Sequence, residues 1–182
     1  MYAEPFDHTG WPQHIERVAA TAELGRTIAP VPRSIADLAC GDGALPRALA
    51  RWSARHWGTA PVLVLGDLHP RWPVVGPIEQ TVDEIEPVEV FVLSEAIEHL
   101  DDPDNVLVRI RARWLLLSTP IGEDDPALNP EHYWGWDLAG VRELLVGTGW
   151  TPRTMRSLVP RAGGVYTFQL WLAERPGFGV PR

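Results

Sequence analysis

The sequence predicts an α/β fold: a doubly wound, mostly parallel sheet that ends in a C-terminal antiparallel hairpin. Three observations carry this reading. Short apolar runs at Ser34–Leu38, Val62–Leu65, Val88–Leu93 and Trp114–Leu117 alternate with stretches of helical spacing. The first two runs stop at Cys40-Gly41-Asp42-Gly43 and at Gly66-Asp67, which is loop chemistry. The last two runs, about Thr154 to Val159 and Val165 to Leu172, flank Arg161-Ala162-Gly163-Gly164, a turn suited to a hairpin. Strands alternating with helices give a parallel sheet covered on both faces, and such sheets bind ligands beyond the carboxyl ends of their strands.

Taken in order, Trp11 to Ile28 reads as a helix, with Thr9 or Gly10 near its cap and Pro12 in its first turn. Its apolar positions Trp11, Ile15, Val18, Ala19 and Ala22 predict the packed face. Pro30 to Arg33 is a stiff connector, and after the Ser34–Leu38 strand a helix resumes from Ala44 to Trp52. Pro70 and Pro73 leave no room for a normal helix after Val62–Leu65, so that crossover is short or irregular and Val74-Val75 is a brief strand. Val88–Leu93 leads to Ser94 and a helical start, and Asp102-Pro103 opens another helix through Val106, Leu107 and Ile110. The loop from Ile121 to about Trp136 is long for a compact domain, as functional loops often are. Leu138 to Val146 is the last helix, stopped by Gly147 and Gly149. With the two hairpin strands the count reaches seven.

The chain has 182 residues, which suits one domain over 1–182, with 1–32 as an N-terminal helical cap and 33–174 as the core. Acids outnumber bases 24 to 16, which disfavours nucleic acid or an anionic membrane as the main partner. All basic side chains apart from histidine are Arg; the absence of Lys excludes Schiff-base, P-loop and pyridoxal chemistry. Cys40 is alone, so neither an internal disulfide nor a multi-Cys zinc site can form, and it reads as a small buried filler. The first ten residues hold Glu4, Asp7 and His8 rather than a signal, and no apolar stretch approaches ~20 residues. The expectation is a soluble, cytoplasmic protein, with an oligomer allowed.

The turn Asp37-Leu38-Ala39-Cys40-Gly41-Asp42-Gly43 follows one strand and precedes one helix. Small residues there let a ligand approach the backbone, and a helix N-terminus favours an anion. Asp67 ends the next strand, where a carboxylate can accept both ribose hydroxyls of a nucleoside; a turn or cap role is its structural alternative.

These residues in this order resemble the class I S-adenosylmethionine-dependent methyltransferases. Asp37 with Ala39, Gly41 and Gly43 matches the acid and glycine-rich turn, Leu65-Gly66-Asp67-Leu68 the second-strand acid, and Phe91 through Pro103 the fourth-strand segment. The helix ending at Gly149-Trp150 and the closing strand fit as well, so the likeness runs from about Arg33 to Glu174. It implies a Rossmann-like, seven-stranded, doubly wound sheet and S-adenosylmethionine as cofactor. The residues implied to hold it are Asp37, Ala39, Gly41, Gly43, Asp67, Leu68, Ile78 and Ser94. Two departures stand: Ala39 replaces the family's first motif glycine, and Gly76-Pro77-Ile78-Glu79 stands where an acid often meets the adenine amino group. Ile78 packing on adenine and Glu79 replacing the acid are both open.

Glu95, Glu98 and His99 fall at i, i+3 and i+4, one face of a helix, and His132 follows in the long loop. Two carboxylates and two imidazoles make a donor set for Mn²⁺, Zn²⁺, Co²⁺ or Fe²⁺. The pattern is similar to the metal site of small-RNA 3′-terminal 2′-O-methyltransferases, and also to ubiquinone-biosynthesis O-methyltransferases in which Glu-His recurs. Without metal, His99, His132 and Glu98 are the candidate acid–base residues, or His99 is simply a satisfied structural histidine. Arg109, Arg111 and Arg113 read as helix-terminal or solvated charges rather than an RNA surface. Tyr133-Trp134-Gly135-Trp136 is either a substrate wall or packing under the loop. The resulting expectation is O-methylation of a small molecule or sugar hydroxyl, metal-assisted or not. RNA 2′-O-methylation and a non-catalytic cofactor-binding scaffold are the alternatives.

Overall fold

A computed structural model of the chain describes residues 8, 10–122, 129–161 and 166–179. One seven-stranded sheet has the order β3-β2-β1-β4-β5-β7-β6. Its strands are β1 (Ser34–Asp37), β2 (Val62–Asp67), β3 (Val74–Val75), β4 (Val88–Ser94), β5 (Ala112–Pro120), β6 (Thr151–Leu158) and β7 (Phe168–Glu174). Strands β1 to β5 pair in parallel, and β7 lies antiparallel between β5 and β6. The order reverses between β1 and β4, which places the ligand crevice at their carboxyl ends. The turn expected to join the last two strands falls at Ala162, Gly163 and Gly164, outside the described residues.

Strands β4 and β5 form the centre because they are apolar on both faces. Val90, Phe91, Val92, Leu93 and Leu115 to Leu117 are all essentially inaccessible to water. Burying each such side chain contributes about 1.5–3 kcal/mol relative to leaving it exposed. One layer joins Phe91, Leu93, Leu115 and Leu117 to Leu107, Leu145 and Trp150, from α4 (Pro103–Arg109), α5 (Leu138–Gly147) and the chain after it. The opposite layer joins Val90, Val92 and Leu116 to Leu24 and Leu49, from α1 (Pro12–Gly25) and α2 (Ala44–Trp57). The side chains of Asp102 and Asp137 cap α4 and α5 by accepting from Asn105 N–H and Gly140 N–H.

Three local expectations are corrected. Helix α1 buries only part of the face expected of it: Ala22 is buried and Val18 packs on the core, but Trp11 and Ile15 are about half exposed and Ala19 is exposed, whereas Arg17, Thr21, Leu24 and Gly25 are buried. Close approach decides this, since a Cβ on Gly25 would lie 2.8 Å from Leu49 and 3.0 Å from Leu116. Helix α2 runs five residues beyond Trp52, to a left-handed cap at Gly58. After β4 the chain does not enter an α-helix. Glu95 adopts φ +54°, and only a single 3-10 turn, Ile97–His99, follows. The reason is that Glu95 N–H still donates to Ser118 O at 2.8 Å, extending the pairing with β5 past the end of β4.

The irregular crossover after β2 is as expected: Pro70 and Pro73 bracket a loop into β3, and α3 (Ile78–Thr81) is one turn long. Arg109 pairs with Asp83 and Arg113 with Glu174 (2.7 and 2.9 Å), while Arg111 donates to the Asp83 and Ile85 carbonyls. That trio is therefore engaged in tying neighbouring segments together. Among the described residues no helix is long and apolar enough to cross a membrane.

Candidate cofactor and metal site

The carboxyl ends of β1 and β2 are joined by side chain and backbone. Asp67, the last residue of β2, accepts Gly41 N–H on Oδ2 and Leu68 N–H on Oδ1, both at 2.8 Å. Gly41 and Gly43 have φ +51° and +71°, the left-handed region that an L side chain strains to occupy. Asp42 between them precedes the cap residue Gly43 and forms an Asx turn into α2, its Oδ1 accepting Ala44 N–H at 2.8 Å. Asp37 at the end of β1 is buried, and its Oδ1 accepts Ala39 N–H at 3.2 Å. Burial pushes the Asp37 carboxyl up to about 8; the nearby Asp67 and Asp42 carboxylates add to the rise. Leu68 is 43% exposed beside Asp67, whereas Ile78 is buried in the core and Glu79 lends its carbonyl to Arg109.

Cys40 is buried with Leu65 and Trp72, and burial raises its thiol far above the ordinary range, as befits a filler.

Ser94 closes this end of the sheet through a residue that periodicity hides. Arg17 on α1 is buried. It donates to Ser94 Oγ at 2.5 Å and to His14 Nδ1 at 2.9 Å, and its Nε lies 3.8 Å from Glu95 Oε2. Ser94 and Ser118 share a hydroxyl–hydroxyl bond of 2.8 Å. A charged residue in the middle of an amphipathic pattern is normally read as solvated; its spacing from Ser94, 77 residues on, gives no local signal.

The second half of the site is built by the 3-10 turn and the long loop. The Glu98 carbonyl accepts the amides of Tyr133 and Trp134, and Trp134 Nε1 donates to Leu100 O. His99 Nδ1 donates to Glu131 O at 2.9 Å, which fixes the ring and leaves its lone pair on Nε2. The His99 and His132 rings meet edge to face with centroids 4.6 Å apart. One ligand atom from each of Glu98, His99 and His132 lies within 4.8 Å of the others. Glu95 is turned elsewhere, its Oε1 accepting from Ser118 Oγ at 2.9 Å. The shared helical face expected for Glu95, Glu98 and His99 is absent because no α-helix forms there.

Glu98 is 1% exposed; Thr119 Oγ1 donates to its Oε2 at 2.9 Å, and among the described residues Oε1 has no hydrogen-bond partner. Burial, reinforced by the Glu95 charge, holds the Glu98 carboxyl well above the usual range. Burial also lowers His99 to about 4, so that its imidazole is neutral at pH 7. A buried orphan carboxyl oxygen and a neutral imidazole whose other nitrogen is anchored are what a divalent ion requires. The residues therefore fit such an ion. The aromatic stretch does two things: Trp134 stacks with Trp136 at 5.5 Å, and Tyr133 and Trp134 remain 54% and 41% exposed.

No protein-family model and no curated protein sequence matches the chain. Solved structures do. Magnesium protoporphyrin IX methyltransferase from Synechocystis PCC 6803, with bound S-adenosylhomocysteine, superposes with TM-score 0.63 at 14% identity over 90% of this chain and 84% of that one. A Haloferax volcanii protein solved in complex with the Trm112 methyltransferase activator gives TM-score 0.66 at 14% identity, over 94% and 97% of the two chains. The plantazolicin methyltransferase BpumL gives 0.60 at 10% identity over 90% and 84%. The fold of this chain is thus the class I methyltransferase fold.

Proposed function

We propose that the chain is an S-adenosylmethionine-dependent methyltransferase acting on a hydroxyl of a small molecule or sugar. Residues 33–174 form its cofactor-binding core and 1–32 its helical cap. The observation that carries this reading is the placement of Asp67 against the Gly41 amide at the carboxyl ends of β1 and β2, beside the point where strand order reverses. Asp67 would grip the ribose, with Leu68 against the adenine and Ile78 or Glu79 at its far side. Asp37, Ala39, Gly41, Gly43 and Ser94 would line the remainder, and Arg17 beside Ser94 would complement a carboxylate.

Bound S-adenosylmethionine supplies a methyl group on a positively charged sulfur. The chain's own task is to hold an acceptor hydroxyl in line with that group and keep water out, an alignment effect of up to ~7–11 kcal/mol. Glu98, His99 and His132 would hold a divalent ion, which lowers the pKa of a coordinated hydroxyl. With its imidazole at about 4, His99 is a poor proton acceptor at neutral pH, which favours the ligand role over the general-base role. Glu95, turned toward Ser118 and Arg17, is not among the ligands we propose.

The test is transfer of labelled methyl from S-adenosylmethionine to a panel of phenols, polyols and sugars, with and without EDTA. Transfer to one of them supports the reading; EDTA-sensitive transfer only to RNA 3′ ends would replace it with the RNA alternative. Cofactor affinity with no turnover on any acceptor would replace it with the scaffold. A cytoplasmic setting and a small-molecule or glycan partner belong to the same proposal.

A further inference from the structure

Outside the turn that carries Gly41 and Gly43, three side chains converge on two consecutive carbonyls. Gly41 O accepts from Arg71 Nη2 at 2.8 Å and from Trp72 Nε1 at 3.2 Å. Asp42 O accepts from Arg47 Nη1 at 2.7 Å. The guanidinium carbons of Arg47 and Arg71 lie 5.0 and 5.1 Å from the Trp72 ring centroid, within cation–π range. Trp72 itself is buried against Cys40 and Leu65. The two prolines around it make this possible: a helical crossover after β2 would carry the chain away, whereas Pro70 and Pro73 return it across the turn.

The carbonyls of an exposed turn are ordinarily satisfied by water, which leaves peptide planes free to rotate. Here two charged donors and an indole fix two successive planes. A trans peptide is planar, with its C=O and N–H opposed. Holding Gly41 C=O against Trp72 and Arg71 therefore aims the Asp42 N–H away from them. Holding Asp42 C=O against Arg47 aims the Gly43 N–H away likewise, and that amide closes on Cys40 O at 2.7 Å. The clamp packs directly on the turn: a Cβ added to Gly43 would stand 2.8 Å from Arg47 Nη1 and 2.9 Å from Trp72 Cη2.

We propose that Trp72, Arg71 and Arg47 are positioning residues for the cofactor, setting its affinity by orienting the Gly41–Asp42 and Asp42–Gly43 peptides from outside the pocket. This rests on the cofactor reading above. The test uses S-adenosylhomocysteine as the probe in calorimetry, with Trp72→Phe, which keeps an aromatic ring but loses the indole N–H, and Arg71→Met, at an exposed position. Each variant should bind roughly tenfold more weakly, the loss of one anchoring hydrogen bond. The Asp42 amide ¹⁵N resonance should move in the ligand-free protein, which a merely stabilising role would not require. Arg71→Lys, with its charge retained, should recover part of the affinity. Should Trp72→Phe fail to fold, Arg71→Met decides alone. Wild-type binding with both folded variants within twofold of it would overturn the clamp only. No wild-type binding would overturn the cofactor reading and the clamp with it.

Discussion

His14 Nε2 lies 3.0 Å from Asp42 Oδ2, while His14 Nδ1 accepts from Arg17. The imidazole therefore links the buried guanidinium of α1 to Asp42, which sits inside the glycine turn and leads into α2. Burial is the main reason its pKa is lowered, with the Arg17 charge next, so it sits there neutral. Arg17→Met would keep the stem but remove the donor from Ser94, His14 and Glu95. The expected loss is about 2–3 kcal/mol of stability, read in urea as a lower midpoint with an unchanged slope. A midpoint equal to that of the wild type would mean that α1 is held by its apolar contacts alone.

Asp37 gives a pH signature of unusual sign for a carboxylate. Its folded-state pKa, about 8, exceeds the ordinary 3.8, so between these values the folded protein holds a proton that the unfolded chain releases. The contribution is present below about pH 4 and is lost as pH rises through 8. Asp37→Asn keeps the acceptor for the Ala39 amide without a charge. Relative to wild type it should become progressively more stable from pH 5 to pH 8 in thermal melts, and the gap should level off above that. A constant gap across this range would show that Asp37 is ionised in the folded protein.

Gly43→Ala combines a left-handed backbone with a crowded Cβ. The conformation alone costs about 1–2 kcal/mol, and Arg47 and Trp72 must yield as well. Gly41→Ala shares the first penalty, but its Cβ would meet nothing within 4 Å. Differential scanning calorimetry should rank Gly43→Ala below Gly41→Ala; the reverse order would deny the crowding.

The proposed metal makes a paired prediction about Glu98. Because burial already favours its neutral form, Glu98→Gln should leave the stability of the metal-free protein nearly unchanged. Adding Mn²⁺ or Zn²⁺ at about a hundred times its Kd should stabilise the wild type by roughly 2.7 kcal/mol, and EDTA should reverse this. Neither Glu98→Gln nor His132→Ala should respond. An equal metal response in all three would place any ion elsewhere.

Much of the fold is legible in residue pattern because its strands are short apolar runs with clear ends, as at Val88–Ser94, apolar but for Glu89 until Ser94, and at Val62–Asp67, which stops at Gly66-Asp67. The parts that were not legible share a physical cause, contacts between residues distant in sequence. Nothing local to Glu95 announces that its amide will pair with Ser118 and abolish the helix that would place i, i+3 and i+4 on one face. The buried face of α1 was set by the close approach of Gly25 to Leu49 and Leu116, which an apolar count cannot register. Glu98, His99 and His132 were nameable from residue type and spacing. Their convergence depends on backbone bonds from Tyr133 and Trp134 to Glu98, which no motif encodes.

Calorimetric titration of S-adenosylhomocysteine into the wild type and into Asp67→Ala bears most directly on the central claim that β1 and β2 end in a nucleoside site. The account predicts one molecule bound per chain, with at least about tenfold weaker binding to the variant, the equivalent of one or more charge-assisted hydrogen bonds. No heat with the wild type, or equal affinity in both proteins, would contradict it.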